Sequence, residues 1–316
     1  MRNAFADELT KLGREDPRVV MLSGDIGNRL FDKFRDAQPE RFLNCGVAEQ
    51  NMTGVATGMA MNGLRPFTYT IAPFATTRCL EQIRTDAAYH DAPVVVVAVG
   101  AGLSYAGLGP THHACEDIAF LRAIPNMVVL APGDNWEVRA ALRAVLKQDH
   151  PAYIRMGKKG EPLVHKGPLD DFQIGKAIVL HEGDEICLLS TGTMLPEAVE
   201  AGRLLSQAGL SAEVVSFHTV KPLDEDRLRS AFSKFRLVAT LEEHSLNGGF
   251  GSAVAEWVVD HGVSPRNFLR FATPDAFFKK SGEQEYAREQ LGLTGRQIAH
   301  RIRGALAESQ AQKDVG

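Results

Sequence analysis

Short apolar runs alternate with amphipathic segments through the first half of the chain. The apolar runs predict strands buried on both faces, because a strand with one solvated face would alternate apolar and polar residues. The amphipathic segments predict helices, one of them at residues 76–89. The predicted strands cover residues 19–22, 41–43, 66–69, 94–99, 127–130 and 152–155. This alternation predicts a mostly parallel sheet of about six strands, covered by helices.

The second half repeats this pattern after a polar interruption. Residues 158–173 are rich in glycine and proline and keep neither period, so we interpret them as a linker. The strands predicted beyond the linker cover residues 177–180, 186–189, 212–216, 237–241 and 268–271. Thr294 and Gln297 suit a capping box at the start of the last helix. The predicted fold class is α/β with two domains, residues 1–157 and 174–316, each with a mostly parallel sheet covered by helices.

Composition narrows the class of protein. With 35 Lys and Arg residues against 39 Asp and Glu residues, the formal net charge is −4. Nucleic acids and anionic membranes need clustered basic residues, so neither partner is predicted. The longest apolar run, residues 93–103, is too short to span a bilayer, and the first residues lack the apolar core of a signal peptide. The four cysteines show no paired spacing, which favours a reducing compartment, and we expect a cytoplasmic protein.

The stretch from residue 44 to residue 61 places one carboxyl group in an apolar setting. Gly46 permits a sharp turn, and the Ala, Met and Gly residues that follow are typical of a tightly packed buried helix. Glu49 is therefore predicted at a helix start. Burial favours the neutral acid, whereas the positive helix terminus favours the carboxylate. Spacing alone leaves open both a proton-sharing catalytic role and a simple first-turn role.

A glycine-rich loop, residues 100–113, follows the most apolar strand. Ligands of open α/β sheets bind at the carboxyl ends of strands, so we predict a binding site at this loop. His112 lies on it behind a Gly-Pro pair, where it can donate a hydrogen bond to a developing oxyanion. His113, Cys115 and Glu116 are too close in sequence for good zinc geometry, and no metal site is predicted there.

Four motifs in the first domain resemble the pyrimidine-binding domain of transketolases in their order and spacing. They are Gly46-Val47-Ala48-Glu49-Gln50-Asn51-Met52, Pro66-Phe67-Thr68-Tyr69-Thr70, Gly109-Pro110-Thr111-His112 and Pro125-Asn126-Met127. Two motifs in the second domain resemble the C-terminal domain shared by transketolase and 1-deoxyxylulose-5-phosphate synthase. They are Val220-Lys221-Pro222-Leu223-Asp224-Glu225 and Glu242-Glu243-His244-Ser245-Leu246-Asn247-Gly248-Gly249. The resemblance covers nearly the whole chain and implies a transketolase-like transferase that uses thiamine diphosphate.

The resemblance implies roles toward this cofactor. Glu49 takes the position of the glutamate that hydrogen-bonds the aminopyrimidine ring, where a carboxyl group able to share a proton with ring nitrogen N1′ assists catalysis. The family places aromatic residues of the ring pocket at the positions of Ile71, Phe74 and Thr77, and only Phe74 keeps a ring here. Asp25 corresponds to a residue in a loop near the cofactor at the dimer interface.

The resemblance also implies substrate contacts. His112 takes the position of the histidine that faces the substrate carbonyl. Gly100 replaces a substrate-binding histidine, and Leu108 replaces an aspartate that reads a substrate hydroxyl. A site without these groups should discriminate less between sugar hydroxyls and tolerate a more apolar or differently shaped substrate. Arg155 and Lys158 lie where related enzymes keep basic residues for a substrate phosphate.

The chain lacks the Gly-Asp-Gly motif with which such enzymes hold Mg²⁺ and the diphosphate. The resemblance therefore implies a split enzyme, in which a separate transketolase N-terminal subunit carries that motif and holds Mg²⁺. We expect a heterotetramer with two copies of each chain. The reaction would move a two-carbon ketol unit from a ketose, as a sugar or sugar phosphate, to an aldehyde acceptor.

Three alternatives stay open. The chain could be the beta subunit of a 2-oxo acid dehydrogenase, which the Gly-Pro-Thr-His-His loop fits less well. It could belong to a decarboxylating synthase similar to 1-deoxyxylulose-5-phosphate synthase. It could also be a non-catalytic interaction subunit. In that case Gly100, Leu108 and Thr77 mark positions where binding or catalytic side chains have been lost, although Glu49 and His112 are retained.

Overall fold

The computed structural model describes the backbone of residues 1–27, 29–158 and 160–315, and the side chains of these residues up to 309. It contains two α/β units, each with a mostly parallel sheet flanked by helices, which confirms the predicted fold class. Within the described part of the chain, no helix combines the length and the apolar character needed to cross a membrane.

The first unit is built on a seven-stranded sheet. Six of its strands come from the first half of the chain: β1 (Val19–Ser23), β2 (Phe42–Asn44), β3 (Arg65–Ile71), β4 (Val95–Val99), β5 (Val128–Leu130) and β6 (Ala152–Met156). They are parallel and follow the order β5-β6-β4-β3-β1-β2. Every residue of β1, β4, β5 and β6 is buried, which explains why continuous apolar runs predict these strands.

The second unit is built on a five-stranded sheet. The strands of the second half are β7 (Ile178–His181), β8 (Ile186–Ser190), β9 (Ala212–Ser216), β10 (Thr219–Lys221), β11 (Leu237–Ser245) and β12 (Phe268–Thr273). The sheet order is β12-β11-β8-β9-β7. β7 is antiparallel to β9, and the other neighbours are parallel.

β10 leaves the second unit and completes the first sheet, which corrects the expected count of about six strands. It is antiparallel to β5, with Thr219 opposite Leu130 and Lys221 opposite Val129. Only one of its three residues, Val220, is apolar, so the hydrophobic pattern does not reveal it. The two units are therefore joined by shared sheet pairing as well as by the covalent chain.

Helices flank both sheets. In the first unit they are α1 (Arg2–Glu15), α2 (Asp32–Ala37), α3 (Glu49–Met61), α4 (Ala72–Ala75), α5 (Leu80–Gln82), α6 (Asp117–Ala123) and α7 (Asn135–Val145), with a π-helical turn at Ile83–Ala88 and 3-10 turns at Pro39–Arg41 and Ala106–Leu108. In the second unit they are α8 (Leu195–Gln207), α9 (Glu225–Lys234), α10 (Phe250–Asp260), α11 (Gln284–Leu291) and α12 (Gly295–Val315), with a 3-10 turn at Gly192–Met194. The Thr294 hydroxyl accepts from the Gln297 N–H at 3.4 Å, and the Gln297 side chain accepts from the Thr294 N–H at 3.3 Å. The predicted capping box of α12 is confirmed.

The helix predicted at residues 76–89 is broken into pieces. α4 ends before Thr76, and α5 begins only after a turn and then continues as the π-helical turn. The break has a local cause, because the Thr76 hydroxyl donates to the Ala72 carbonyl at 2.7 Å and the Cys79 thiol donates to the Phe74 carbonyl at 3.2 Å. These side-chain bonds compete with continuation of the helix.

A buried polar network joins the two units. Arg155, in β6, is 2% exposed, and its Nε donates to Asp117 Oδ2 at 2.8 Å. Its Nη2 donates to the carbonyls of Ala114 and Glu243 at 2.8 and 2.9 Å. The Tyr153 hydroxyl donates to the same Asp117 oxygen at 2.6 Å. Because Asp117 begins α6 and Glu243 lies in β11, the network crosses from one unit to the other.

The Glu243 side chain binds the loop that follows β4. Its Oε1 accepts from the Leu103 N–H at 2.7 Å and from the Gln284 amide at 2.8 Å, while Arg288 donates to its Oε2. Gly102 permits this approach, since a side-chain carbon there would lie 2.6 Å from the Glu243 carbonyl oxygen. The second unit thus fixes the start of the glycine-rich loop.

The segment predicted as a linker packs against the first unit. Residues 160–173 contain no helix or strand. The N–H groups of Val164 and His165 donate to Asp134 Oδ2 at 3.0 and 2.8 Å, and the Phe172 ring stacks on His218 with centroids 4.0 Å apart. The Asp134 side chain also caps α7. This connection is therefore held at several points.

The His165 imidazole is buried between two carboxylates at the start of α7. Its Nδ1 lies 3.1 Å from Asp134 Oδ2, and its Nε2 lies 3.5 Å from Glu137 Oε1. Burial lowers the pKa of His165, but the hydrogen bond and charges of these carboxylates outweigh burial and raise it. Burial raises the pKa of Asp134, but its hydrogen bonds lower it to about 2. His218 also faces this cluster, and burial lowers its pKa to about 4.

We predict that His165→Gln destabilises the protein most at mildly acidic pH. Folding raises the pKa of His165, so the attraction between protonated His165 and the carboxylates of Asp134 and Glu137 stabilises the folded state. This stabilisation is fully present below the pKa of the unfolded histidine, about 6.5, and is lost as pH rises through the folded-state pKa. Thermal midpoints of the wild type and this variant, measured from about pH 5.5 to about pH 9, should therefore converge at high pH. His300→Gln, at an exposed position of α12, is the control. A difference in thermal midpoint that stays constant across this pH range would contradict a stabilising charge on His165.

Candidate active site

The carboxyl ends of β1 and β3 lie side by side in the first sheet, and we call the region at these ends the crevice. β1 has β2 on one side and β3 on the other, so the direction of winding reverses there. Ligands of such sheets bind at this switch point. Gly24 follows β1, and a side-chain carbon on it would lie 3.2 Å from Thr70 Oγ1 and 3.3 Å from Glu49 Cγ. The absence of a side chain at Gly24 lets Glu49 approach the strand ends.

Glu49 is the first residue of α3 and is 3% exposed. The Arg78 guanidinium donates to its Oε2 at 2.8 Å, and the Arg78 side chain is itself 41% exposed. A buried carboxylate without a partner would be costly, and this cation compensates the charge. Glu49 is thus a buried acid linked to the open side of the crevice.

Three rings continue the site from Glu49 toward the loop after β4. The Arg78 guanidinium carbon lies 4.3 Å from the centroid of Phe74, in α4. The His112 imidazole packs edge-on to Phe74, with centroids 5.4 Å apart, and Tyr105 packs edge-on to His112 at 6.2 Å. The structure therefore brings together residues that are far apart in sequence.

The His112 imidazole is half-buried, and its Nδ1 lies 2.9 Å from the Thr111 hydroxyl. Burial lowers the pKa of His112, and the neighbouring His113 lowers it further. The ring is therefore neutral near pH 7, with one nitrogen that donates and one that accepts. Such a ring can donate a hydrogen bond to a carbonyl oxygen.

Lys158 follows β6 and lies at the far end of the row of rings. Its Nζ lies 5.3 Å from the centroid of Tyr105 and 3.8 Å from Glu283 Oε2. The two charged side chains are 35% and 84% exposed, so the ion pair is weak and leaves the ammonium group accessible to an anion. The crevice thus has one cation beside Glu49 and another beside Tyr105.

Residues 1–161 match the family described as transketolase, pyrimidine binding domain, and residues 175–298 match the one described as transketolase, C-terminal domain. The chain belongs to the transketolase family. This confirms the resemblance that the motifs carry, including the order of the two domains. A solved structure described as split gene transketolase, inactive beta4 tetramer, is similar with a TM-score of 0.87 and 36% identity, and the match covers 97% of both chains.

Two relatives carry names that include a substrate. The chain is 36% identical to 6-deoxy-6-sulfo-D-fructose transketolase subunit SqwH of Clostridium sp. strain MSTE9, over 96% of this chain and 94% of that protein. It is 33% identical to a subunit of apulose-4-phosphate transketolase from Phocaeicola vulgatus, over 84% of this chain and 85% of that protein. Both relatives are therefore transketolase subunits of nearly the same length.

Within this transketolase fold, Arg155 does not face the crevice. It is buried in the network with Asp117, and its Nη2 donates to the carbonyl of Ala114, at the end of the loop, and to that of Glu243, in β11. The prediction that it binds a substrate phosphate is corrected accordingly, because a phosphate cannot reach a side chain that is 2% exposed. Arg155 instead holds the end of the glycine-rich loop.

The other predicted residues lie around the transketolase crevice. Asp25 is exposed, has a φ of 58°, and accepts from the Asn44 amide at 2.9 Å. Ile71 is half-buried at the end of β3, Thr77 is exposed, and Leu108 is 57% exposed. These positions alone do not assign a function to any of the four residues, so their cofactor-binding and substrate-binding roles stay predictions.

Sequence reasoning missed two residues of this site. Arg78 lies four residues after Phe74, a spacing that brings side chains together on helical turns and that could have indicated the pair. Tyr105 lies in a loop without a period, so nothing in the pattern indicates where its ring lies. The structure places that ring against Gly100, where a side-chain carbon would lie 2.2 Å from Tyr105 Cδ2.

We predict that Gly100→Ala lowers the free energy of unfolding by about 2 to 5 kcal/mol. The left-handed φ of 88° costs about 1 to 2 kcal/mol, and the clash with Tyr105 costs about 1 to 3 kcal/mol more. Gly63→Ala is the matched control, because Gly63 has a φ of 86° and no atom within 4 Å of the added carbon.

Urea unfolding of both variants measures the difference. Adding Tyr105→Ala to Gly100→Ala should recover most of the loss that exceeds that of Gly63→Ala. Equal losses in the two single variants would contradict close packing of Tyr105 on Gly100.

Proposed function

We propose that this chain is the C-terminal subunit of a split transketolase that moves a two-carbon ketol unit from a ketose to an aldehyde acceptor. A second chain with a Gly-Asp-Gly motif supplies the rest of the site, and the two assemble as a heterotetramer. The observation that carries the proposal is Glu49, a buried acid at a helix start on the switch-point crevice. The names of the two transketolase subunits among its relatives support it.

The residues of this chain fit one half of thiamine diphosphate. Glu49 offers a buried carboxyl group to the aminopyrimidine ring, Phe74 offers an aromatic surface, and Ile71 offers an apolar one. Mg²⁺ and a diphosphate need oxygen ligands and a close glycine backbone, and the sequence contains no Gly-Asp-Gly. We therefore assign the diphosphate and Mg²⁺ to the second chain.

Each side chain of the crevice has a part in the reaction. Thiamine diphosphate supplies, when bound, the carbanion-stabilising group that two-carbon transfer requires. Glu49 shares a proton with the aminopyrimidine nitrogen through its carboxyl oxygen. In the tautomer whose Nδ1 accepts from the Thr111 hydroxyl, His112 carries its proton on Nε2 and donates it as a hydrogen bond to the substrate carbonyl oxygen. Phe74 and Tyr105 pack edge-on to that imidazole.

Lys158 binds the anionic end of the substrate. An ammonium group acts as a point charge and does not demand the planar geometry that a guanidinium does. It therefore accepts a phosphate or a sulfonate. These are the two kinds of anion that the names of the relatives contain.

The partner is tested first by isolating the tagged chain from its own cells and identifying what accompanies it in equal amount. We expect a companion with Gly-Asp-Gly, and ketol transfer only when both chains are present. Testing pyruvate as the donor distinguishes ketol transfer from the two alternative enzyme classes. A complex that decarboxylates pyruvate and ignores ketoses would favour a 2-oxo acid dehydrogenase or a decarboxylating synthase instead.

We predict that Glu49→Gln lowers turnover of the assembled complex at least about 100-fold, because the amide cannot share a proton as the acid does. Initial rates at saturating ketose and aldehyde measure the loss. Glu81→Gln, an exposed position in the neighbouring α5, should leave turnover near the wild-type value. Near-normal turnover of Glu49→Gln would sink the catalytic assignment and favour a non-catalytic subunit.

We predict that Lys158→Met raises KM about tenfold or more for a phosphorylated or sulfonated ketose and changes KM little for a neutral one. A charged hydrogen bond to such an anion contributes about 1.5 to 3 kcal/mol, which the methionine cannot supply. Lys147→Met, an exposed position after α7, is the control for loss of a positive charge. The same KM in both variants for the anionic ketose would argue against an anion at Lys158.

A further inference from the structure

The Arg78 side chain lies between two groups that the proposed function assigns to the cofactor. Its Nη1 donates to Glu49 Oε2 at 2.8 Å, and its guanidinium carbon lies over the Phe74 ring, 4.3 Å from the centroid. A group that contacts both side chains at once occupies the gap between them. The guanidinium therefore lies where an aminopyrimidine ring has to lie in order to stack on Phe74 and bind Glu49.

The guanidinium is chemically suited to this position. It is planar, its face packs on aromatic rings, and the N–H groups at its edge donate to a carboxylate. An aminopyrimidine is also planar, stacks on an aromatic ring and meets a carboxyl group at its edge. Two such groups cannot fill one gap, so the presence of either excludes the other.

Glu49 requires a partner in the absence of a cofactor. It is 3% exposed, and a buried carboxylate without a compensating charge is strongly destabilising. Among the described residues, Arg78 is the one whose side chain donates to the Glu49 carboxyl group. The guanidinium thus keeps the buried acid paired while the site is empty.

The Arg78 side chain can leave this position without a change in the backbone. It is 41% exposed, so the guanidinium can turn out into water. The backbone beneath it is held separately, because the Arg78 N–H donates to the Pro73 carbonyl at 3.1 Å and the Cys79 thiol donates to the Phe74 carbonyl at 3.2 Å. Displacement therefore requires only rotation of one side chain.

We propose that the Arg78 side chain occupies the aminopyrimidine position of the empty site, holds Glu49 there, and is displaced when thiamine diphosphate binds. The inference rests on the proposed function, because it takes Glu49 and Phe74 to bind the aminopyrimidine ring. It adds to that function an autoinhibitory contact within this chain, against which the cofactor has to compete.

The competition is measured by calorimetric titration of thiamine diphosphate, at saturating Mg²⁺, into the assembled complex of the two chains. Arg78→Met keeps a long side chain and Arg78→Ala removes it, and both variants lack the guanidinium. Both should lower the Kd about tenfold, the change expected if the guanidinium fills the gap about nine-tenths of the time. Arg84→Met, at an exposed position of the neighbouring π-helical turn, is the control and should keep the wild-type Kd.

Two results of this titration would overturn the inference. An unchanged or higher Kd in both Arg78 variants would mean that the guanidinium does not compete with the cofactor or helps to bind it. A lower Kd in Arg78→Met but not in Arg78→Ala would mean that the methionine side chain packs against the cofactor, and not that a competitor has been removed.

The second test is a double-mutant cycle on the full chain without cofactor, followed by thermal midpoints. Arg78→Met should lower the midpoint more in the wild type than in Glu49→Gln, because only the wild type keeps a buried carboxylate that is left unpaired. Arg84→Met should shift the midpoint equally in the two backgrounds. Equal losses for Arg78→Met in both backgrounds would contradict the contact on which the inference depends.

The outcomes distinguish failure of this inference from failure of the proposed function. A wild-type complex that binds no thiamine diphosphate contradicts the function and the inference with it. A wild-type complex that binds the cofactor, with Arg78 variants that bind it no more tightly, contradicts the inference and leaves the function in place.

Discussion

The buried contact between Arg155 and the carbonyls of Ala114 and Glu243 is the interaction on which the rest of the structure depends. It ties the end of the glycine-rich loop to β6 and to the second unit at once. The Glu243 side chain holds the start of the same loop through the Leu103 N–H. Removing one partner from such a buried charged network costs about 3 to 5 kcal/mol.

This network explains how side chains of the glycine-rich loop can have defined positions. Tyr105, Leu108 and His112 lie between its two fixed ends, so their positions depend on contacts made by the second unit. The second unit thereby shapes the crevice through the loop that it holds. The short strand β10, which joins the first sheet, strengthens the same dependence.

Two titratable groups, a buried carboxyl and a half-buried imidazole, set the electrostatics of the crevice. Glu49 is buried at the start of a helix, and among the described residues its carboxyl group accepts one charged hydrogen bond, from Arg78. Partial burial and the neighbouring His113 lower the pKa of His112, which favours its neutral form. An acid and a neutral donor on one crevice are the combination that general acid-base chemistry at a carbonyl substrate requires.

The hydrophobic pattern predicted the strands of both sheets other than β10, because each of them begins or continues an apolar run. It did not predict β10, which has a single apolar residue, or the interruption after α4, which depends on hydroxyl and thiol bonds to carbonyls. These features arise from local bonds and from tertiary pairing, and the pattern of apolar residues does not record either.

The candidate site also contains residues that the sequence predicted and residues that it did not. Motif position predicted roles for Glu49, Phe74 and His112, and the structure places Phe74 between His112 and the Arg78 side chain that binds Glu49. It failed for Arg155, because an arginine at a strand end is usually exposed, and the partners that bury this one come from α6 and β11. Tyr105 was missed because its significance is a contact with the backbone of Gly100, which only the folded loop creates.

The most direct test of the central claim is calorimetric titration of thiamine diphosphate with Mg²⁺ into this chain, into its Gly-Asp-Gly companion, and into an equimolar mixture of the two. We expect saturable binding of one cofactor per pair of chains in the mixture and none by this chain alone. Saturable binding by this chain alone, or no binding by the mixture, would contradict the claim that the two chains share one cofactor site.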